Sequence, residues 1–155
     1  MINLLIDTSV FGFALETSNN DKVIATKKFL QLLRTHKTFS AYISAITLVE
    51  LENTPGEKLR KELFKLVSKL RLNIVSNSEE IEKISHIYIK RKIIPDRYVN
   101  DARLLASAAV SKISILVTWN LKHMANVITK QKINDINREF KYPIVDIVTP
   151  MEFEI

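Results

Sequence analysis

Short apolar runs of four to six residues, each closed by a polar residue, alternate with longer segments of helical period, and this alternation restricts the fold more than any other feature. The runs are Asn3 to Ile6, Thr38 to Ile43, Leu72 to Val75, Ile115 to Thr118 and Ile144 to Val148. Because they are largely apolar on both alternating faces, they read as five strands of a parallel sheet covered on both sides. Between them, residues 57–71 set Leu59, Leu63, Leu66 and Leu70 against Lys58, Lys61, Lys65 and Lys69, the pattern of an amphipathic helix lying on a sheet. Residues 22–36 behave likewise through Val23, Phe29, Leu30 and Leu33, and residues 79–90 through Ile81, Ile84, Ile87 and Tyr88. Residues 100–111 are rich in alanine, which suits a tightly packed helix. Strand and helix in alternation predict a three-layer α/β/α sandwich around a central, mainly parallel five-stranded sheet, with right-handed crossovers, in one domain over residues 1–155. The fifth strand, flanked by Pro143 and Pro150, is expected at an edge.

Composition narrows the chemistry. A chain of 155 residues, 46% of them hydrophobic, can bury a core without a disulfide or a structural metal. The absence of cysteine removes disulfide scaffolds, zinc ribbons, thiol nucleophiles and iron–sulfur sites, and it suits a reducing cytoplasm. With Gly12 and Gly56 the only glycines, Gly-rich loops that cradle phosphate are removed as well. Met1 to Asp7 has no basic flank and its apolar stretch breaks at Asp7, so it reads as a buried strand and not as a signal peptide. No segment approaches the ~20 apolar residues of a membrane span, and no membrane partner is expected. The net charge of +6, from 23 basic and 17 acidic side chains, favours an anionic partner.

In open α/β sheets ligands bind beyond the carboxyl ends of the strands, and four polar residues fall where strands hand over to helices. Asp7 ends the first strand, Glu50 lies about two helical turns beyond the second, Asp101 opens the Ala-rich helix and Asn120 ends the run from Ile115. Each has a purely structural reading beside the functional one. Asp7 and Asn120 could cap helices, Glu50 could be a paired glutamate, and Asp101 could answer the helix dipole behind an Asn100 cap. Their coincidence at one rim is the informative point. Three carboxylates together repel one another unless a cation neutralises them, and oxygen-only ligands select Mg²⁺ or Mn²⁺ over zinc.

Leu5-Ile6-Asp7-Thr8-Ser9, the stretch from Ser44 to Leu51 around Glu50, the stretch from Asn100 to Ala109 around Asp101, and Val117-Thr118-Trp119-Asn120 together resemble the motifs of the PIN domains, in order and spacing. PIN domains are metal-dependent ribonucleases and include the VapC-type toxins of toxin–antitoxin pairs. The resemblance implies that Asp7, Glu50 and Asp101 are metal ligands, that Asn120 occupies the fourth catalytic position, usually acidic, and that Thr8, Thr118 and His123 are accessory. Trp119, Asn120 and His123 also look like a branch of the family with tryptophan, asparagine and a histidine three residues on. The activity implied is endoribonuclease cleavage by a metal-activated water, with Mg²⁺ or Mn²⁺ as cofactor. Lys90, Arg91, Lys92 and Arg97, just before Asp101, would line the approach of the RNA backbone. As a toxin the chain would form a homodimer and take a small antitoxin protein, with Phe11, Phe13 and Leu15 as candidates for that groove. The rival reading is a catalytically silent PIN module that binds RNA or a protein, with Asn120 as its mark.

Overall fold

The computed structural model describes residues 1–153. Its strands are β1 (Ile2–Ile6), β2 (Phe39–Ser44), β3 (Asn73–Val75), β4 (Ile115–Val117) and β5 (Asp146–Val148). Its helices are α1 (Thr8–Ala14), α2 (Asp21–Thr35), α3 (Ala45–Glu52), α4 (Glu57–Leu70), α5 (Glu79–Lys90), α6 (Val99–Val110) and α7 (Val127–Glu139), with 3₁₀ turns at Asp96–Tyr98 and Pro150–Phe153. The strands form one sheet in the order β3-β2-β1-β4-β5, parallel at every pairing. The expected three-layer sandwich is therefore observed, the sheet is wholly parallel among the described residues, and β5 lies at an edge.

Alternation along the strands divides the interior in two. Leu4 and Ile6 of β1 and Val117 of β4 face a core shared with Phe11 of α1, Phe29 of α2, Leu51 of α3 and Leu63 of α4. Leu5 and Leu116 face the opposite core, with Ile81, Ile84 and Tyr88 of α5, the alanines of α6, and Ile133 and Ile136 of α7. Each strand of the centre is thus dry on both faces, which explains why its residues read as unbroken apolar runs. Helices α2, α5 and α7 begin where polar side chains take up free amides: Asn20 Oδ1 accepts from Val23 N at 2.9 Å, Ser78 Oγ from Ile81 N at 3.2 Å, and Asn126 Oδ1 from Thr129 N at 2.9 Å.

Two helices escape the sequence pattern. Helix α1 is seven residues long, contains Gly12, and is held by burial of Val10 and Phe11. Helix α7 turns Asn134 and Asn137 inward beside Ile133 and Ile136, which interrupts its apolar stripe. Those asparagines are satisfied there: Asn134 Oδ1 accepts from Val145 N at 2.8 Å, its Nδ2 donates to Val145 O at 2.9 Å, and the Tyr88 hydroxyl donates to Asn137 Oδ1. The Ala-rich helix also starts differently from expectation. It begins at Val99 without a side-chain cap, and Asn100 Oδ1 instead accepts from Arg103 Nη1 at 3.1 Å, as Arg103 bridges to Glu82 of α5.

The topology locates a crevice. From β1 the chain moves to β2 on one side, whereas β4, the neighbour of β1 on the other side, continues outward to β5. The direction of progression therefore reverses between β1 and β4, and ligands of open α/β sheets settle beyond the carboxyl ends of such a pair.

Candidate functional site

Asp7 follows β1 at this reversal and is 7% exposed. It occupies the N-cap position of α1, yet its side chain caps nothing. Its Oδ2 accepts from Thr118 Oγ1 at 2.7 Å and from Ser9 Oγ at 2.7 Å, while its backbone N donates to Val117 O at 3.0 Å. The carboxylate is therefore clamped across the β1/β4 crevice, and helix capping does not account for it. Thr118 Oγ1 also accepts from Asn120 N at 3.0 Å, and Ser9 Oγ accepts from Trp119 N at 3.0 Å. Ser9 is a site residue the sequence reading missed, although the run Asp7-Thr8-Ser9 displays it. Ser9→Ala removes both of its bonds, leaves the Trp119 amide unpaired, and is expected to lower stability by about 1–2 kcal/mol in urea unfolding; an unchanged midpoint would show the bridge to be dispensable.

Glu50 is carried in by α3, whose start Ser44 fixes by accepting Ile46 N at 3.1 Å. Burial, then the charges of Asp7 and Asp101, push its carboxyl up to about 7. The Thr8 hydroxyl beside it acts weakly in the opposite sense, without a well-aligned hydrogen bond: Thr8 Oγ1 is buried and unpartnered. Asp101 lies in the first turn of α6 and is raised to about 6, again by burial and then by Asp7, against the opposing effect of Asn120. Asn120 Nδ2 donates to Asp101 Oδ2 at 3.0 Å, and Asn120 Oδ1 accepts from His123 N at 3.0 Å. Asn120 thus closes a tight turn and steadies Asp101, while α7 has its own cap in Asn126. The four residues singled out at the strand ends form one electrostatically coupled group.

Among the described residues, no three His, Asp or Glu side chains close into a ready ligand set. The carboxylates are near enough to hinder one another's ionisation without being drawn together. Their chemistry still fits a hard divalent cation: the donors are all oxygen, the like charges lack a counter-charge among themselves, and the buried hydroxyls of Thr8 and Thr47, beside Asp7 and one turn before Glu50, have no partner.

The outlying candidates separate. The ring of His123 lies against that of Tyr98, with centroids 4.0 Å apart and planes tilted by 33°. Partial burial and the charges of Lys122 and Arg97 lower its pKa. Arg97 is exposed, with its guanidinium 5.1 Å from the Tyr98 ring centroid. Arg91 is committed elsewhere, 2.6 Å from Glu139 Oε2 and packed on Phe140, while Lys90 and Lys92 are exposed. Phe11 is wholly buried and forms no part of an open groove; Phe13 packs on Trp119 at 5.5 Å, and Leu15 is half-buried.

Fold and site together define a three-layer α/β protein with an acidic cluster at the reversal point of a parallel sheet. The chain belongs to the PIN domain family, whose model matches residues 4–127. No curated protein matches the sequence. Among solved structures it is similar to VapBC2 from Rickettsia felis, bound to a DNA fragment from their promoter, at 16% identity and a TM-score of 0.59, over 96% of this chain and 98% of that one. It is also similar to a chain of a toxin–antitoxin complex from Klebsiella pneumoniae, at 22% identity and a TM-score of 0.58, over 98% and 99%. Mycobacterium tuberculosis VapC20, described as a sarcin-ricin loop cleaving toxin, is 13% identical with a TM-score of 0.58, over 79% and 93%. At these identities the likeness concerns the fold.

Proposed function

We propose that this chain is a Mg²⁺- or Mn²⁺-dependent endoribonuclease, one nuclease domain over residues 1–155, and the toxin of a toxin–antitoxin pair acting in the cytoplasm. The observation that carries the reading is the group of Asp7, Glu50 and Asp101 at the β1/β4 reversal, where burial first and the neighbouring charge of Asp7 second make the carboxyls of Glu50 and Asp101 resist ionisation. Asp7, Glu50 and Asp101 would hold the ion. Bound there, it would supply positive charge that lowers the pKa of water and stabilises developing charge on phosphate oxygens. Thr118 and Ser9 fix Asp7, Asn120 keeps Asp101 oriented, and Glu50 contributes its full charge once the pH passes its raised pKa. Asn120 adds no charge of its own, so the donor set suits one ion better than two. His123 stands beside Arg97 and Lys122, where a phosphate would be welcome.

PIN membership supports nuclease chemistry, and the neighbour described as cleaving the sarcin-ricin loop supports RNA as the substrate. The VapBC and toxin–antitoxin complexes among the neighbours support an antitoxin partner. The antitoxin would occupy the depression between α1, α2 and α4, lined by Ala14, Leu30, Leu66 and Leu70 with Lys27 and Arg34 beside them, and the toxin would act as a homodimer. Purified protein is expected to cleave single-stranded RNA with Mg²⁺ or Mn²⁺ and to stop in EDTA. Cleavage that persists in EDTA would remove the metal-dependent mechanism, and a preparation silent with either ion would remove the enzyme reading and favour a binding module.

A further inference from the structure

Arg97, Tyr98 and His123 form one contiguous group drawn from two distant stretches of chain: the rings of Tyr98 and His123 have centroids 4.0 Å apart with their planes tilted by 33°, and the Arg97 guanidinium carbon lies 5.1 Å from the Tyr98 centroid. Tyr98 ends the 3₁₀ turn before α6, three residues ahead of Asp101, and His123 lies three residues after Asn120. The two stretches are tied at the site itself by the Asn120 Nδ2 to Asp101 Oδ2 bond at 3.0 Å, and His123 N is anchored on Asn120 Oδ1 at 3.0 Å. The group is therefore fastened to the acidic cluster at both roots. Tyr98 and His123 are half-buried, whereas Arg97 is exposed, so the guanidinium is the accessible part of the group. Core packing explains neither the exposed arginine nor its position over the ring. Arg97 forms no carboxylate ion pair among the described residues, unlike Arg91 and Arg103.

We propose that this group is a platform for an unpaired nucleobase of the RNA strand, seated on Arg97, Tyr98 and His123 next to the phosphodiester held at the acidic cluster. Bases splayed out of a single strand stack on aromatic rings and on arginine planes, and each such contact is sequence-tolerant because every base has a π-face. The platform would select single strands over duplexes, since a paired base is already stacked. Its position relative to the cut rests on the nuclease reading; its capacity to bind a base does not.

The test is binding of a fluorescent single-stranded RNA in EDTA, so that no cleavage is required, together with the same RNA annealed to its complement. Tyr98→Leu is expected to weaken single-strand binding about tenfold and to leave duplex binding unchanged, with Tyr98→Phe restoring the wild-type value. Arg97→Lys keeps the charge and loses the plane, and it too is expected to weaken single-strand binding. An oligonucleotide with abasic sites should bind the wild type and Tyr98→Leu equally. Failure of wild type to bind single strands, full binding by Tyr98→Leu, or the same loss on duplex and abasic RNA would overturn the proposal. Circular dichroism melting of each variant separates these outcomes from misfolding, and Tyr98→Phe and Arg97→Lys carry the test if Tyr98→Leu is unfolded. Platform binding without cleavage in Mg²⁺ would leave this inference standing and sink the nuclease reading, whereas cleavage with full binding by Tyr98→Leu would do the reverse.

Discussion

Asp7→Asn is expected to reduce Mg²⁺-dependent RNA cleavage by more than about a hundredfold, since even partners that merely orient metal ligands cost about 10–100-fold when lost. The substitution preserves shape. An asparagine oxygen can still accept from Thr118 Oγ1 and Ser9 Oγ, so the clamp across β1 and β4 should survive, and the melting temperature should stay close to that of the wild type. What disappears is the charge. Asp7 is the carboxylate that acts on both Glu50 and Asp101, so its neutralisation should also let both ionise at lower pH, which side-chain carboxyl NMR can follow. Equal cleavage by Asp7→Asn and wild type would refute its role as a ligand; a lost fold would point to a structural one.

The second large effect concerns pH and metal together. Glu50 rises from 4.5 to about 7 and Asp101 from 3.8 to about 6 on folding, each through burial first and neighbouring charge second. The folded protein therefore holds these protons more tightly than the unfolded chain. The stability they contribute is complete below about pH 4 and is lost as the pH rises through about 6 and 7. Metal-free protein should accordingly melt lower at pH 8 than at pH 5. Glu50→Gln should flatten that dependence and stabilise the metal-free protein at pH 8 by about 1–2 kcal/mol, after allowance for the partial exposure of the carboxyl. Mg²⁺ has the opposite preference, because it requires the carboxylates free of protons. At pH 8, an ion concentration of about 100 times Kd adds about 2.7 kcal/mol to the wild type, and at pH 5 much less. Thermal shift assays at both pH values provide the check: an equal Mg²⁺ response in wild type and Glu50→Gln, or no change between pH 5 and 8, would contradict the coupled site.

Much of the fold was legible because the central strands β1 and β4 are largely dry on both faces, so that Leu4-Leu5-Ile6 and Ile115-Leu116-Val117 stand out without tertiary information. Helices α1 and α7 were not, because neither shows a continuous apolar stripe: α1 is short and interrupted by Gly12, and α7 buries asparagines whose partners, Val145 and Tyr88, lie elsewhere in the chain. The positions Asp7, Glu50, Asp101 and Asn120 were visible as polar residues at strand-to-helix junctions. Their competing structural readings were not decidable there, since a capping aspartate and a clamped one have the same letter. The structure separated them, showing Asp7 bonded to hydroxyls and not to helix amides, and Asn120 bonded to Asp101 while Asn126 caps α7. Arg91 and Arg97 show the same limit: both are basic and six positions apart, yet one is neutralised by Glu139 and the other lies over Tyr98.

Local pattern thus determined the strands, most helices and the candidate acids, because hydrophobic period and the polar ends of strands are properties of short stretches. Only the tertiary structure decided that β1 and β4 are neighbours where the chain reverses its progression, and it added Ser9 and Tyr98 to the Thr118 and His123 that the family resemblance had already marked. Burial, like-charge repulsion and stacking depend on distances between residues far apart in sequence, and no window along the chain contains those distances.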